Sequence, residues 1–533
     1  MSFSDLAAKR EARLKTQQKR QEAENVDARP TELSTEVPTE ASTSSHRLEE
    51  EDLIKVLNVD VEIRQTKDKG RGLFARRDLK PGHTVLSTIP TVIALDKQHI
   101  SQFCSYTAQS EYGGLFASEL GTMKKLARCS LCKTIFYASK EAQKSDWPIH
   151  KNECLCLRSL GSSSIPQDSV RALARFVWMK DHKRTLGDNE WGQSVEDMYD
   201  AYDNYTEEQK IGLGNKAKEF FDFFTQGGKD REAMSRYNLS ISYIMRMLCK
   251  IQTNGFALSG SDFMEIGTAI CPLAACINHN QEYNSTVLFT QEDNRLSVVA
   301  FKGIEKGDEI TTTYVDGAEP WDAQRNQLLK QYLFDIGPGP DTDSKVDAFD
   351  QHEGQKVALK LAKPLQSAEK WMTSDPIKAF NQLQPHYESV VKTYPPHSYH
   401  RLRYLRSCFT AMTAISYMDD MPSWAPSMAV ELAKATLEST KAILPYGHPV
   451  RGLMLVELSK QMLANRNEEK GTSEQTVVKK LTNCITITEE ALAEVKIGYG
   501  KGSYFSRGLE KQLQDIKLEI HFRNMAQMSI SQS

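Results

Sequence analysis

The sequence lacks any apolar run close to the ~20 residues that a helix needs to cross a bilayer, so a membrane protein is not expected. It also lacks an excess of charge, because 67 Lys and Arg face 70 Asp and Glu for a net charge of −3. That balance argues against a protein that mainly coats nucleic acid. The polar N-terminal stretch does not resemble a signal peptide, so we expect location in the nucleus, the cytoplasm or both. Ten cysteines in 533 residues of such a chain indicate thiols or metal ligands before disulfides.

Composition and patterning divide the chain into regions. Residues 30–45 are almost wholly Thr, Ser, Glu, Pro and Ala, which predicts a disordered tail. Alternating and β-branched runs, such as residues 59–63, 285–289 and 296–301, predict strands. Residues 170–252 and the chain beyond residue 346 show helical patterning, with helix breaks near Pro395, Pro422, Pro445 and Gly498.

One short motif carries a metal signal. Cys129 and Cys132 form a CxxC pair, and His150 and Cys154 follow at a helical i,i+4 spacing that places them on one face. The four side chains make a Cys3His set, which suits a closed tetrahedral zinc site with no open position for chemistry. The alternative is three unrelated thiols and an incidental histidine. We therefore predict one structural Zn²⁺.

Three further segments draw attention together, although each has an ordinary interpretation alone. Residues 69–75 form a Lys-Gly-Arg-Gly turn between strand-like runs, which on its own predicts only a hairpin. Asn278 and His279 follow an apolar run, where a single histidine is more often a satisfied core residue. Residues 307–314 predict a turn and a β-rich strand that ends in Tyr314.

The order and spacing of these segments identify a resemblance to a known family. Tyr137, Asp146, Trp147 and Lys151 around the metal motif resemble the MYND zinc finger. The three other segments resemble the SET methyltransferase domain in the version that carries a MYND insertion. Together they resemble the SET and MYND domain-containing (SMYD-type) protein-lysine methyltransferases over nearly the whole chain except the tail.

The resemblance implies an α+β protein: a β-rich SET fold with a pseudoknot, an inserted degenerate MYND finger, a helical insertion and an all-α TPR-like C-terminal domain. It predicts the following division: a disordered charged and Ser/Thr-rich tail (1–57), the first SET part (58–103), the finger (104–156), the helical SET insertion (157–252), the SET catalytic core (253–318), a post-SET-like segment without zinc ligands (319–344) and the helical C-terminal domain (345–533).

Two departures from the family pattern concern metal sites. At the second half-site of the finger the matching positions are Cys104, Thr107, Ala138 and Ala142, so we expect a single zinc ion and an ordinary buried thiol at Cys104. The positions that match the family's post-SET zinc site are held by four residues of other types, Gln281, Ile336, Pro338 and Asp341. Without that ion we expect the post-SET segment to be held over the pocket by packing alone.

The resemblance also implies S-adenosyl-L-methionine as methyl donor and a lysine of a histone or another protein as acceptor. Tyr314 would orient the amine, and Phe256 and Tyr332 would line its channel, unless those two are simply core aromatics. The implied donor-binding residues are Lys69, Gly70, Arg71, Asn254, Asn278, His279 and Phe334, the last by stacking on adenine.

An alternative function belongs to a different class. A fold does not guarantee activity, and two degraded metal sites leave open a catalytically inactive interaction or scaffold protein. Protein partners would then dock on the finger and the helical C-terminal domain. In either case we expect a monomer and no nucleic-acid partner, since basic residues near the finger are usually a solvated face.

Overall fold

The computed structural model describes residues 60–110, 115–116, 120, 125–160, 164–180, 194–226, 234–259, 265–290, 295–339, 355–372, 374–416, 418, 420–467 and 473–531. The predicted tail lies outside these residues. The strands, β1 to β12 in chain order, are Val61–Gln65, Arg71–Ala75, Thr84–Thr88, Val92–Leu95, Ala127–Arg128, Phe136–Tyr137, Phe256–Ser259, Glu265–Ile270, Asn278–His279, Ser285–Thr290, Arg295–Ala300 and Glu309–Thr312.

The α-helices are numbered in the same way. In chain order, α1 to α13 are Lys140–Leu160, Asp168–Met179, Glu207–Phe224, Ile241–Asn254, Trp321–Gln331, Gln355–Glu369, Pro376–Leu383, Tyr387–Thr393, Tyr399–Ser416, Ala425–Ile443, Pro449–Ala464, Glu474–Gly498 and Tyr504–Ser531. Groups of strands and helices alternate up to β12, and from α5 onward the described elements are helical. The predicted α+β class is confirmed.

A four-stranded sheet brings together segments that are far apart in sequence. Its strand order is β1-β2-β12-β9. Strand β12 pairs antiparallel with β2 and parallel with β9, where Thr311 lies opposite Asn278 and Thr312 opposite His279. Because β9 and β12 are neighbours and β2 lies on the other side of β12, the three segments singled out in the sequence meet at one place.

Two three-stranded sheets complete the β-rich region, with orders β10-β11-β3 and β4-β8-β7. In the second, Leu95 of β4 lies opposite Gly267 of β8. A Cβ on Gly267 would stand 2.2 Å from the carbonyl oxygen of Ala94, and its φ of +153° is one that residues with a side chain rarely adopt. The close approach of β4 and β8 therefore depends on this glycine.

Apolar side chains form separate clusters in the two parts of this region. One cluster lies within the sheets and includes Leu73, Ile277 and Ile310. A larger one joins β4 and β8 to the finger and to helices α1 to α4, and it contains Cys104, which is fully buried. The prediction of a buried thiol at Cys104 is confirmed.

The helical C-terminal half consists of successive packed helices, with α9, α10, α11, α12 and α13 each lying against the next. Helices end or begin beside the predicted breaks: α9 begins after Pro395, α10 after Pro422, α11 after Pro445, and α12 ends at Gly498. Proline lacks the N–H that a helix interior needs, which explains the three breaks at proline. Across the described residues, no helix combines the length and apolarity that a membrane span would need.

Two polar contacts connect these helices to the β-rich region. The hydroxyl of Tyr283 lies 2.9 Å from Nε2 of His448 at the start of α11. Arg406 of α9 donates to Asp316 at 2.6 Å, only two residues beyond Tyr314. The C-terminal helices thus contact the chain immediately after the strand that carries the predicted site.

We predict that Gly267→Ala destabilises the β4–β8 pair by about 2 kcal/mol, because the new methyl group must push the backbone of Ala94 away. Faster hydrogen exchange of β4 and β8 amides would measure the loss. Gly212→Ala is the matched control, since nothing lies within 4 Å of its Cβ position in α3. There we expect stabilisation of roughly 0.5–1 kcal/mol; equal effects of the two changes would contradict the proposed close approach.

Candidate functional site

The predicted metal ligands converge within the finger. The ligand atoms of Cys129, Cys132, His150 and Cys154 all lie within 4.8 Å of one another, and all four side chains are buried. Two edges, Cys129 Sγ to Cys154 Sγ and Cys132 Sγ to His150 Nε2, measure 3.8 Å each. A zinc tetrahedron with arms of ~2.3 Å has edges of about 3.8 Å, so this donor set fits the ion. It is the one such cluster within the described part of the chain.

A buried carboxylate contacts the metal-ligand histidine on the side of its ring opposite the sulfur atoms. Glu153 accepts a hydrogen bond from Nδ1 of His150 at 3.1 Å, which leaves Nε2 free to face the sulfur atoms. The same carboxylate accepts from Arg171 at 2.7 and 3.0 Å and from Arg175 at 2.5 Å. Burial raises the pKa of Glu153, but the charges of Arg175 and Arg171 hold it well below its ordinary value. Glu153 is therefore a permanent anion that orients the histidine ring.

The two arginines extend this network into the rest of the protein. Arg171 donates to the carbonyl oxygen of Leu95 in β4 at 2.8 Å. Arg175 pairs with Asp146, which accepts a hydrogen bond from Tyr137 at 2.7 Å. All these side chains are nearly inaccessible, so each charge relies on its partners for stabilisation. The finger is thereby fixed to α2 and to the sheet.

A second site lies at the junction of β2, β12 and β9. The side-chain nitrogen of Asn278 donates to the carbonyl oxygen of Arg71 at 3.1 Å and to Oε1 of Glu309 at 2.7 Å. A Cβ on Gly72 would lie 2.9 Å from Glu309 and 3.1 Å from Asn278, so a larger residue would obstruct this contact. The absence of a side chain at Gly72 in β2 therefore leaves room for the contact between the Asn278 amide and Glu309.

Lys69 and Gly70 lie in the turn between β1 and β2. The ammonium group of Lys69 is 3.4 Å from the carbonyl oxygen of His279 and 3.8 Å from Glu309. The carbonyl of Gly70 accepts hydrogen bonds from the backbone and hydroxyl of Thr66. The turn thus brings a positive charge beside the Asn278-His279 backbone.

Four aromatic rings converge next to this junction. The ring centroids of Tyr314 and Tyr332 are 4.8 Å apart, and His279 lies 5.5 Å from Tyr314 and 5.6 Å from Phe334. The backbone N–H of Tyr314 donates to Nδ1 of His279, and its hydroxyl donates to the carbonyl of Ile277 at 2.7 Å. Since Nδ1 accepts, the proton of His279 is on Nε2, a buried donor without a hydrogen-bond partner in the described structure.

The titratable groups of this cluster are neutral at physiological pH. Burial and the charge of Lys69 lower the pKa of His279 to about 4. Burial, with a smaller contribution from Glu265, raises the pKa of Tyr332 to about 12. Burial also raises the pKa of Tyr314 well above its ordinary value. The rings therefore form an uncharged, half-buried surface beside the Lys69 cation.

The remaining predicted residues occupy other positions. Arg71 donates to the carbonyl oxygen of Asp197 at 2.7 Å, and Asn254 donates to that of Tyr199 at 2.9 Å. Both side chains therefore hold the segment 195–204 of the helical insertion against the junction. Phe256, at the start of β7, packs against both apolar clusters of the β-rich region and is not among the four converging rings. Its channel role stays a prediction.

The segment after α5 corrects one expectation. We predicted that packing alone holds it, and this is wrong. Arg325 of α5 donates to both carboxylate oxygens of Asp335, at 2.5 and 2.6 Å. Trp321 also donates through Nε1 to the carbonyl of Gly337 at 3.1 Å. Polar contacts to one helix therefore attach the segment on both sides of Ile336.

The predictions from sequence did not include several residues that form the polar contacts around the two sites. The buried cations Arg171 and Arg175 stand four residues apart within the apolar run of α2, a pattern that signals ion pairs inside a core. Glu153 stands between two metal ligands, next to Cys154. For Arg325 and Asp335 the sequence offers no comparable signal, because exposed charges are common on any helix.

Comparisons with known proteins agree with this picture. The MYND finger family matches residues 118–154, which confirms the predicted finger. Histone-lysine N-methyltransferase SMYD3 of Mus musculus is 26% identical over 411 residues, covering 76% of this chain and 88% of that protein. N-lysine methyltransferase SMYD2 of Gallus gallus is 27% identical over 266 residues, covering 50% of this chain and 56% of that protein.

A crystal structure of the SET domain of LSMT bound to lysine and AdoHcy aligns with 88% of this chain and 91% of that chain. Its sequence identity is 11% and its TM-score is 0.26, too low to support an inference.

We predict about one zinc ion per chain by elemental analysis, because one complete Cys3His set is present in the described residues. Cys129→Ser should lose that ion. Cys104→Ser is the matched control: it also removes a buried thiol but lies outside the ligand set, so it should keep the metal. Two or more ions in the wild-type protein would contradict a single site.

We also predict that Arg171→Met weakens the packing of α1 by about 3 kcal/mol, because Glu153 would keep its buried charge with fewer partners. Hydrogen exchange of the α1 amides measures this change. Arg523→Met removes more exposed pairs with Glu474 and Glu519 and should cost less than about 1 kcal/mol. Similar exchange in both variants would disprove the role of the buried network.

Proposed function

We propose that this SMYD-type protein is a protein-lysine N-methyltransferase, which transfers a methyl group from S-adenosyl-L-methionine to a lysine of a histone or another protein. The observation that carries the proposal is the junction of β2, β9 and β12, where Asn278, His279 and Tyr314 adjoin the rings of Tyr332 and Phe334. The SMYD relatives, which are named as lysine methyltransferases, support the reaction class.

The residues at the junction suit the methyl donor. Nε2–H of His279 is buried without a partner, and a donor left in that state is costly unless a ligand accepts from it. Lys69 supplies a positive charge for the carboxylate of the donor's amino-acid end, and the face of Phe334 suits adenine stacking. When bound, S-adenosyl-L-methionine supplies an electrophilic methyl group. Gly70, which precedes β2, and Asn278 and His279 of β9 lie near the same end of the four-stranded sheet.

Arg71 and Asn254 contribute indirectly in the present arrangement. Their side chains donate to the carbonyl groups of Asp197 and Tyr199, so they position the segment 195–204 beside the junction. Direct contact of these two residues with the donor remains the prediction from the resemblance.

The ring cluster suits the acceptor amine. A lysine with the ordinary pKa of ~10.4 enters as an ammonium ion and must lose a proton before it attacks. The neutral, half-buried surface of Tyr314 and Tyr332 disfavours the charged form by desolvation. The tyrosine hydroxyls remain protonated, so they orient the amine while the proton leaves to solvent. The rings also hold the methylated product by cation–π attraction.

Positioning is then the main contribution of Tyr314. Its hydroxyl is held by the carbonyl of Ile277 and its backbone by His279, so the ring has little freedom. Preorganised alignment of amine, methyl carbon and sulfur lowers the barrier without any change of charge on the protein. Substrate proteins would reach this site from solution. Docking of further partners on the finger or C-terminal helices, the monomeric state and location in nucleus or cytoplasm belong to the same proposal.

We predict that Tyr314→Phe lowers the rate of methyl transfer to a protein extract by about 100-fold, because the amine loses a fixed orienting group. Radiolabelled donor measures the rate. Tyr446→Phe is the matched control, since that ring is exposed on the C-terminal half and should leave labelling unchanged.

The inactive-scaffold alternative makes a different prediction. A scaffold without a donor site would give no heat on titration with S-adenosylhomocysteine and no labelling with either tyrosine variant. Labelling of equal strength in wild type and Tyr314→Phe would also contradict the proposed mechanism.

A further inference from the structure

The segment that carries Tyr332 and Phe334 stands where the family resemblance implies a zinc site. Gln281, Ile336 and Pro338, which occupy the described ligand positions, bring no thiolate or imidazole, so these residues do not fit the ion. The segment nevertheless keeps two rings in contact with His279 and Tyr314. Some other interaction must hold it there.

An ion pair closes this part of the chain on itself. Arg325 and Asp335 are ten residues apart, and they meet through two N–H···O bonds. Such paired bonds fix orientation as well as distance, unlike a single charge contact. Oδ1 of Asp335 accepts a third hydrogen bond, from the backbone N–H of Gly337 at 2.9 Å. Asp335 directly follows Phe334, so the pair fixes the end of the ring-bearing segment.

The backbone between the rings requires such support. Leu333, between Tyr332 and Phe334, has a φ of +63°, in the left-handed region that residues with a side chain rarely adopt. This conformation persists only if both flanks are held. Tyr332 is held by its backbone hydrogen bond to Leu328 of α5, and Asp335 is held by Arg325.

We infer that the Arg325–Asp335 pair takes over the role of a post-SET metal ion, and that both are positioning residues that hold Phe334 and Tyr332 over the donor site. This inference rests on the proposed methyltransferase function. Neither side chain touches a reacting atom; they act through the two rings. Because Arg325 lowers the pKa of Asp335 to about 2, the pair contributes fully above the ordinary carboxyl pKa near pH ~4, and this contribution is lost as pH falls from there through about 2.

The test compares variants of the pair in the full-length protein. Arg325→Gln removes both the charge and the paired N–H donors of the guanidinium, whereas Arg325→Lys keeps only the charge. The double change Arg325→Asp with Asp335→Arg reverses the two charges of the pair. Lys517→Gln is the matched control, because its exposed pair with Glu489 lies on the C-terminal helices. The measurements are hydrogen exchange of amides 333–337 and the Kd of S-adenosylhomocysteine by calorimetry.

We expect Arg325→Gln to raise both the exchange rate and the Kd about fivefold, near the upper end for an exposed pair. Arg325→Lys should fall between this variant and the wild type, and the reversed pair should recover most of the loss. The rate of methyl transfer at saturating donor should stay within about twofold of wild type, because Tyr314 is untouched. Lys517→Gln should behave as wild type.

Two results would overturn the inference. If Arg325→Gln leaves exchange of residues 333–337 unchanged, the pair does not hold the segment. If exchange rises while donor affinity is unchanged, the pair is structural and has no positioning role. A wild-type protein that binds no S-adenosylhomocysteine would instead refute the proposed function, and with it the positioning role. Hydrogen exchange would still show whether the Arg325–Asp335 pair holds residues 333–337.

Discussion

The parallel pairing of β9 with β12 is the constraint on which the candidate active site depends. It sets Asn278 and His279 beside Thr311 and Thr312, and Tyr314 then follows two residues later with its N–H on His279. A strand that slips by one residue turns every side chain to the opposite face. The short pairing is therefore strengthened by side chains, above all by the bond between Asn278 and Glu309.

The two sites of the molecule differ in their electrostatics: one contains buried charges in pairs, and the other is a neutral aromatic surface. Behind the finger, the charges of Glu153, Arg171 and Arg175 lie in the interior and are stabilised because each meets a partner of opposite sign. At the ring cluster, His279 and Tyr314 are neutral, and the nearby Lys69 is half-exposed. The first arrangement builds rigidity around a closed metal set. The second forms an uncharged surface, which we propose disfavours the charged form of a substrate lysine by desolvation.

Much of this organisation follows from local patterns. The metal ligands were predictable because CxxC and i,i+4 spacings fix ligand geometry within a few residues. The helix breaks of the C-terminal half were predictable because proline acts locally. The ion pair between Arg325 and Asp335 was not, and the expectation of packing alone failed, since an exposed charge on a helix has many possible partners. The buried Arg171 and Arg175 lie between these cases: their burial was readable from the apolar run, their partners were not.

The sequence by itself determined which residues can bind a metal or form the second site: a Cys3His set, a glycine-rich turn, an Asn-His pair and a tyrosine at the end of a β-rich strand. Their spacing also indicated the family. Only the tertiary structure decided that Arg71 and Asn254 hold a loop, that Phe256 lies apart from the converging rings, and that Arg325 pairs with the carboxylate of Asp335 after the ring-bearing segment. The physical reason is that local spacing constrains neighbours along the chain, whereas contacts between residues such as Asn278 and Glu309 are selected by strand pairing and burial across the whole fold.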